Sequence, residues 1–213
     1  MNTNLQNYGI FLKKNICLSL KSNIVLSIIL LLAIPIVRSV GNLTVVLSAE
    51  CLELFVSLIG ITMIIPITKN EHNTEIREII FGKKISYILT VITRLIVAFI
   101  IVFLMIVIYA IIMQKLNSEF PFWSFVIATT FLAYFWGLLG LLMSEISRNS
   151  IVGYLSAFGY YSLISFGFLT SSNFMYLLPI TDGSLSMPIF IKLVIVNIVM
   201  LFIILLIAKK EKI

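Results

Sequence analysis

The chain has 213 residues, 61% of them hydrophobic and 11% charged, against about 45–50% apolar and about 25% charged in a soluble domain. That excess excludes a soluble enzyme and a disordered chain; five Pro and ten Gly exclude collagen-like and linker sequences, and two Cys exclude a disulfide-stapled secreted domain. The net charge of +6 comes from basic residues that flank apolar blocks, which suits an anionic lipid surface and not nucleic acid.

The fold class is an all-α membrane protein. An interfacial amphipathic helix is expected over residues 1–22, followed by one transmembrane domain of six helices over residues 23–213. Leu5, Tyr8, Leu12, Ile16 and Leu20 recur at three- and four-residue spacing, with Asn7, Lys14 and Lys21 opposite. That pattern predicts a helix lying in the membrane interface. A polar, frayed N-terminus is the alternative, and Gly9 favours it. The first apolar block is long enough to span and lacks a small-residue cleavage site, unlike a signal peptide.

Six apolar blocks follow: Asn23–Val40, Leu52–Thr68, Leu89–Met113, Phe122–Met143, Ile151–Thr170 and Pro188–Ala208. About 20 apolar residues cross the hydrocarbon layer as a helix. None of the blocks alternates as a barrel strand does. The second is short and ends at Pro66. Twelve Lys and Arg fall on the side of the chain ends and only Arg38, Lys115 and Lys192 on the other. The basic side is expected to be cytoplasmic, with both termini inside a bacterial plasma membrane.

The connection between spans two and three, Lys69 to Tyr87, carries the most information. Asn73 or Thr74 suits a helix cap, and Glu75 sits in the first turn, where negative charge matches the helix dipole. Ile76, Ile79 and Ile80 form an apolar stripe; Gly82 ends the helix, and Lys83 and Lys84 follow. Two turns are not stable alone in water. The stripe therefore lies on lipid or docks in a partner's groove.

This order of elements resembles the membrane subunit of a type-2 ABC transporter, close in layout to small bacterial peptide and drug exporter permeases. Members commonly carry an E-x-x-x-T-E-x-x-x-x stretch after span two. The matching residues here are Glu71, Thr74 or Glu75, Ile79, Ile80, Lys83 and Lys84, with Gly82-Lys83-Lys84 where many members have a Pro. The resemblance implies that Thr74, Glu75, Ile76, Ile79, Ile80, Lys83 and Lys84 form a coupling helix for a separate ABC ATP-binding subunit. It implies the same contact for the tight turn that holds Glu145 and Arg148. ATP and Mg belong on that partner, and a second permease subunit, identical or related, completes the pathway.

The chain's own residues offer no chemistry of that kind. Gly82-Lys83 is the one Gly-Lys pair, with Arg77 five residues before it and Lys84 in the Ser/Thr position, so a phosphate-binding loop is excluded. The single histidine, His72, stands beside Glu71 with no further ligands in reach of sequence. Cys17 and Cys51 are expected on opposite membrane faces and cannot pair within one subunit. No catalytic residue, metal or cofactor is expected in this chain.

A permease needs a path and a partner surface instead. Thr129, Ala133 and Gly137 in span four, and Gly153 and Ala157 in span five, repeat every four residues. Small residues so spaced let helices approach closely, either within one subunit or at a seam between two. Tyr134, Trp136, Phe158 and Tyr161, with Phe135, Tyr154 and Tyr160, either line a route for an amphipathic substrate or pack the core. Phe120, Phe122 and Trp123 suit an interfacial belt. Arg38 ends span one, and Glu50 and Glu53 begin span two, as a surface pairing or an outer gate. Pro179 breaks any helix in the segment before span six.

The expected function is the permease of an ATP-driven exporter working by alternating access on amphipathic or hydrophobic cargo. Antimicrobial or toxic peptides are the favoured cargo, moved out of the cell or resisted as immunity. An ion-coupled secondary transporter or channel is the alternative, with a non-transporting membrane assembly factor third.

Overall fold

The computed structural model describes residues 2–72, 87–169, 173–181 and 183–210. The expected coupling helix, Thr74 to Lys84, lies outside the described residues. Helix α1 runs unbroken over Asn2–Val37. The expected interfacial helix, residues 1–22, and the first span therefore join in one continuous helix of about 54 Å at 1.5 Å per residue. No helix breaker stands between the two amphipathic registers. The membrane-length part of α1 is Leu20–Val37, and its chain leaves through a turn that holds Asn42 at φ 55°.

The second membrane-length segment is not a uniform helix. It winds as α2 (Val45–Glu50), a π-helical turn (Cys51–Phe55), a 3-10 turn (Val56–Leu58), α3 (Ile59–Ile64) and a second 3-10 stretch (Ile65–His72). The last change of winding falls at Pro66, which lacks the N–H that an α-helix would use. Helix α4 (Tyr87–Lys115) and helix α5 (Phe122–Ser147) follow. Arg148, at φ 51°, turns the chain, and the Asn149 side chain accepts from the Ile151 N–H at 2.9 Å to cap α6 (Ser150–Ser165). A small antiparallel pair, β1 (Ile180–Thr181) with β2 (Ser184–Leu185), precedes α7 (Met187–Lys210).

Among the described residues, five segments are long and apolar enough to cross a membrane: Leu20–Val37, Val45–Lys69, Ile88–Lys115, Phe122–Ser147 and Met187–Lys209. That is the signature of a multi-pass membrane protein. The block expected to be the fifth of six spans, Ile151–Thr170, is shorter than anticipated. Helix α6 has 16 residues and reaches about 24 Å, under the roughly 30 Å of a hydrocarbon core. It stops at Ser165 because Gly167 takes φ +75° two residues on.

Packing separates a centre from a periphery. In Val45–Lys69 and in α5, 78% of the residues in the apolar window are buried, against 22% in α1 and 17% in α7. The α5 helix and the second segment therefore form the axis, and α1, α4, α6 and α7 surround it. Backbone contact makes this possible. A methyl group on Gly60 would overlap the Ala133 carbonyl, and one on Gly137 would meet the Gly60 carbonyl oxygen at 2.6 Å. Polar bonds fix the surrounding helices to the axis: Ser27 with Thr62 at 2.7 Å, and Asn197 Nδ2 donating to the Phe131 carbonyl at 2.9 Å.

The bundle has two distinct ends. At the loop end, the Asn42 N–H donates to Leu116 O at 2.8 Å and the Glu119 N–H to Leu43 O at 3.0 Å. At the terminal end, Arg94 Nη1 donates to Ile67 O at 2.8 Å, and Thr68 Oγ1 donates to Glu145 Oε1 at 2.5 Å. Arg94, counted in the sequence among the flanking charges, is buried in α4 at 5% exposure.

Candidate functional site

The loop end holds a cavity of about 700 Å³ between the start of the second segment, the end of α6 and a later wall that includes Leu169, Tyr176, Gly183 and Ile189. Its charged lining residues are Glu50 and Glu53; Leu54, Ile164, Leu178 and Ile180 are among the apolar ones. The two carboxylates stand three residues apart, as they would on one face of an α-helix, but their surroundings differ. Glu50 forms an ion pair with Arg38 at 2.6 Å, and both side chains keep solvent exposure, 46% and 24%. Arg38 also lies 5.9 Å from the Phe55 ring centroid. Such a surface pair contributes about 0.2–1 kcal/mol.

Glu53 is 3% exposed. Its Oε1 accepts from the backbone N–H of Ile180 at 2.7 Å, so β1 is fastened to the second segment by a carboxylate. The expected trio of Arg38, Glu50 and Glu53 is thus divided: the first two pair at the rim, and the third is buried among the cavity walls.

Local backbone explains how Glu53 is held. It is the middle residue of the π-turn, after which the Val56 N–H bonds to the carbonyls of Cys51 and Leu52. One turn on, the Ser57 hydroxyl donates to the Glu53 carbonyl and accepts from Trp136 Nε1 at 3.1 Å. Trp136 is fully buried in α5. The central helix therefore braces the irregular turn that presents Glu53. Single-turn π-bulges occur frequently at functional sites, and an ionisable residue inside a membrane segment is a functional candidate by its cost alone.

The small-residue repeats are filled from within the chain. Thr129, Ala133 and Ala157 are fully buried. A methyl on Gly153 would overlap Gly140 O, so α5 and α6 touch there backbone to backbone. These positions pack α5 against the second segment and α6 within the chain.

The aromatic residues divide. Tyr134, 7% exposed, meets Phe99 edge-on at 5.1 Å. Tyr161, half-buried, meets the buried Trp136 ring at 5.8 Å, and Phe158 is 43% exposed on the surface of α6. A second, apolar cavity of about 310 Å³ lies among Phe135, Leu139, Tyr160, Phe174, Lys192 and Met200. Lys192 donates from Nζ to Tyr176 O at 3.1 Å and sits 4.6 Å over the Phe174 ring.

At the terminal end, Glu145 is buried and bonded to Thr68, while Arg148 is exposed in the turn after α5. Among the described residues, no three His, Cys, Asp or Glu side chains converge as metal ligands.

Sequence reasoning missed Ile180 as the residue that orders Glu53. Pro179 marked the absence of helix, but the Asp182-Gly183 dipeptide that follows it was the available signal for a hairpin. Gly183 takes φ +77°, and its backbone lies against Val45. No protein-family model matches the chain, and neither does any curated protein or solved structure.

Proposed function

We propose that this chain is the permease subunit of an ATP-driven exporter, set in a bacterial plasma membrane with both termini cytoplasmic. A separate ABC ATP-binding subunit supplies ATP hydrolysis, and a second permease subunit, identical or related, completes the transporter. The observation that carries this reading is the Thr68–Glu145 bond at 2.5 Å. It ties the end of the second segment to the last turn of α5. One leads directly into residues 73–86, and the other leads to Arg148. In this proposal both face the ATPase, which acts on them as a unit. Ile76, Ile79 and Ile80 dock on the ATPase, and Thr74, Glu75, Lys83 and Lys84 frame them. Movement of the second segment then reaches the Glu53 cavity at the opposite end, where amphipathic cargo is handled by alternating access.

The test is co-purification with the ATPase candidates of the same organism, comparing the natural chain with Ile79→Asp and Ile80→Asp. Either charge in the apolar stripe is expected to abolish the complex and the ATP turnover that depends on it. Complex formation and turnover that survive both changes overturn the coupling assignment. A second reading, an ion-coupled carrier, is favoured by one observation, the burial of Glu53 within a membrane-length apolar segment. In that reading an ion gradient drives transport and no ATPase takes part.

A further inference from the structure

The loop-end cavity has a consistent chemistry. Among the described residues its lining includes two carboxylates and no Lys, Arg or His. Its volume, about 700 Å³, falls within the roughly 300–1,000 Å³ range of small-ligand sites. The Glu50 charge is already matched by Arg38 at 2.6 Å. Glu53 differs: its carboxylate takes one hydrogen bond, from the Ile180 backbone, and among the described residues it has no cationic partner. A carboxylate buried without a counter-charge is costly, so a cation bound beside Glu53 would lower that cost. Most of the remaining lining residues are apolar, with Tyr176 among them.

We infer that this cavity binds amphipathic monovalent cations, with Glu53, which releases its proton to the cavity water as the cation enters, as counter-ion and Leu54, Ile164, Leu178 and Ile180 receiving the apolar body. An amphipathic anion of the same shape is disfavoured, since Arg38 is already taken by Glu50 and no described lining residue offers a second cation. As a statement about cargo this rests on the exporter reading. As a statement about binding it does not, because the ligand is held by this chain alone. The π-turn contributes by setting Glu53 on the cavity while Trp136 and Ser57 keep the turn from relaxing.

The experiment uses the full chain in lipid nanodiscs at neutral pH with no ATPase present. Binding of radiolabelled tetraphenylphosphonium is measured by equilibrium dialysis, after subtraction of empty discs. Tetraphenylborate, nearly identical in shape and opposite in charge, is the control. Saturable binding of the cation and none of the anion is expected. Glu53→Gln keeps an oxygen for the Ile180 N–H and is expected to weaken cation binding by about tenfold or more. Ser165→Trp, at an exposed lining position, fills the cavity with both carboxylates left in place and is expected to abolish binding. Equal saturable binding of both ions, or cation binding unchanged in Glu53→Gln, overturns the inference. If Glu53→Gln does not fold, the charge-reversed pair and Ser165→Trp still decide it. Failure here leaves the Ile79→Asp result untouched, and failure of the coupling test leaves this binding intact.

Discussion

Glu50 and Glu53 share one apolar segment, and composition alone treats them alike. Their difference comes from partners far along the chain: Arg38, twelve residues before Glu50, and Ile180, well over a hundred residues after Glu53. The position of Glu53 near a membrane boundary was readable from the sequence. Its burial was not, because that depends on a hairpin closing over it from the other end of the chain. The Ser57 hydroxyl is the smallest group on which this arrangement turns. It accepts from the buried Trp136 indole and donates to the Glu53 carbonyl. Ser57→Ala leaves a buried N–H unpaired, which costs about 1–3 kcal/mol. Equilibrium unfolding in mixed micelles is expected to register that loss, and an unchanged midpoint would show that the bond carries no stability.

At the scale of elements, close approach of backbones decides the core. Gly60 faces the Ala133 carbonyl, whereas Gly159 in α6 has no atom within 4 Å of where a Cβ would stand. The same substitution is therefore expected to have opposite signs at the two sites. Gly60→Ala forces the second segment away from α5 and costs about 1–3 kcal/mol. Gly159→Ala improves helix propensity and stabilises by up to about 1 kcal/mol. Unfolding midpoints of the two variants, measured side by side, check the ordering. The repeats Thr129-Ala133-Gly137 and Gly153-Ala157 revealed close packing in the sequence, because small side chains at four-residue spacing have few other uses in an apolar helix. They left open whether the neighbour belonged to the same chain. The composite winding of the second segment was hidden, since an apolar run reads the same whether each turn is α, π or 3-10.

For the whole molecule, block length and charge placement gave the class and the grouping of loops. Among the described residues five segments are of membrane length; α6 is shorter, its run ending at a left-handed glycine, yet it still leads from the Arg148 turn at the terminal end to the loop-end cavity. The helix passes residue 22 without a break because nothing in the chain there interrupts helical hydrogen bonding. Orientation in the membrane is open to direct test. In a background without Cys17 and Cys51, Glu119→Cys at the loop end and Ser147→Cys at the terminal end both present exposed positions. The proposed orientation predicts that an impermeant thiol reagent modifies position 119 in intact cells and position 147 only after permeabilisation. The reverse pattern would invert the topology and move the Glu53 cavity to the cytoplasmic side.

The irregular winding of the second segment has a mechanical meaning. One turn is wound loose, Cys51–Phe55, and the next tight, Val56–Leu58. Their angular errors oppose each other, so the stretch beyond can keep its phase against α5 while the loose turn holds Glu53 off the regular screw. A change of a fraction of a turn at this joint would re-aim the carboxylate without unlocking Gly60 from Ala133. The segment is thus a shaft with one irregular joint in it: regular where it bears on the axis of the bundle, and pinned by Ser57 and Trp136 at the one place where a buried carboxyl group meets the cavity.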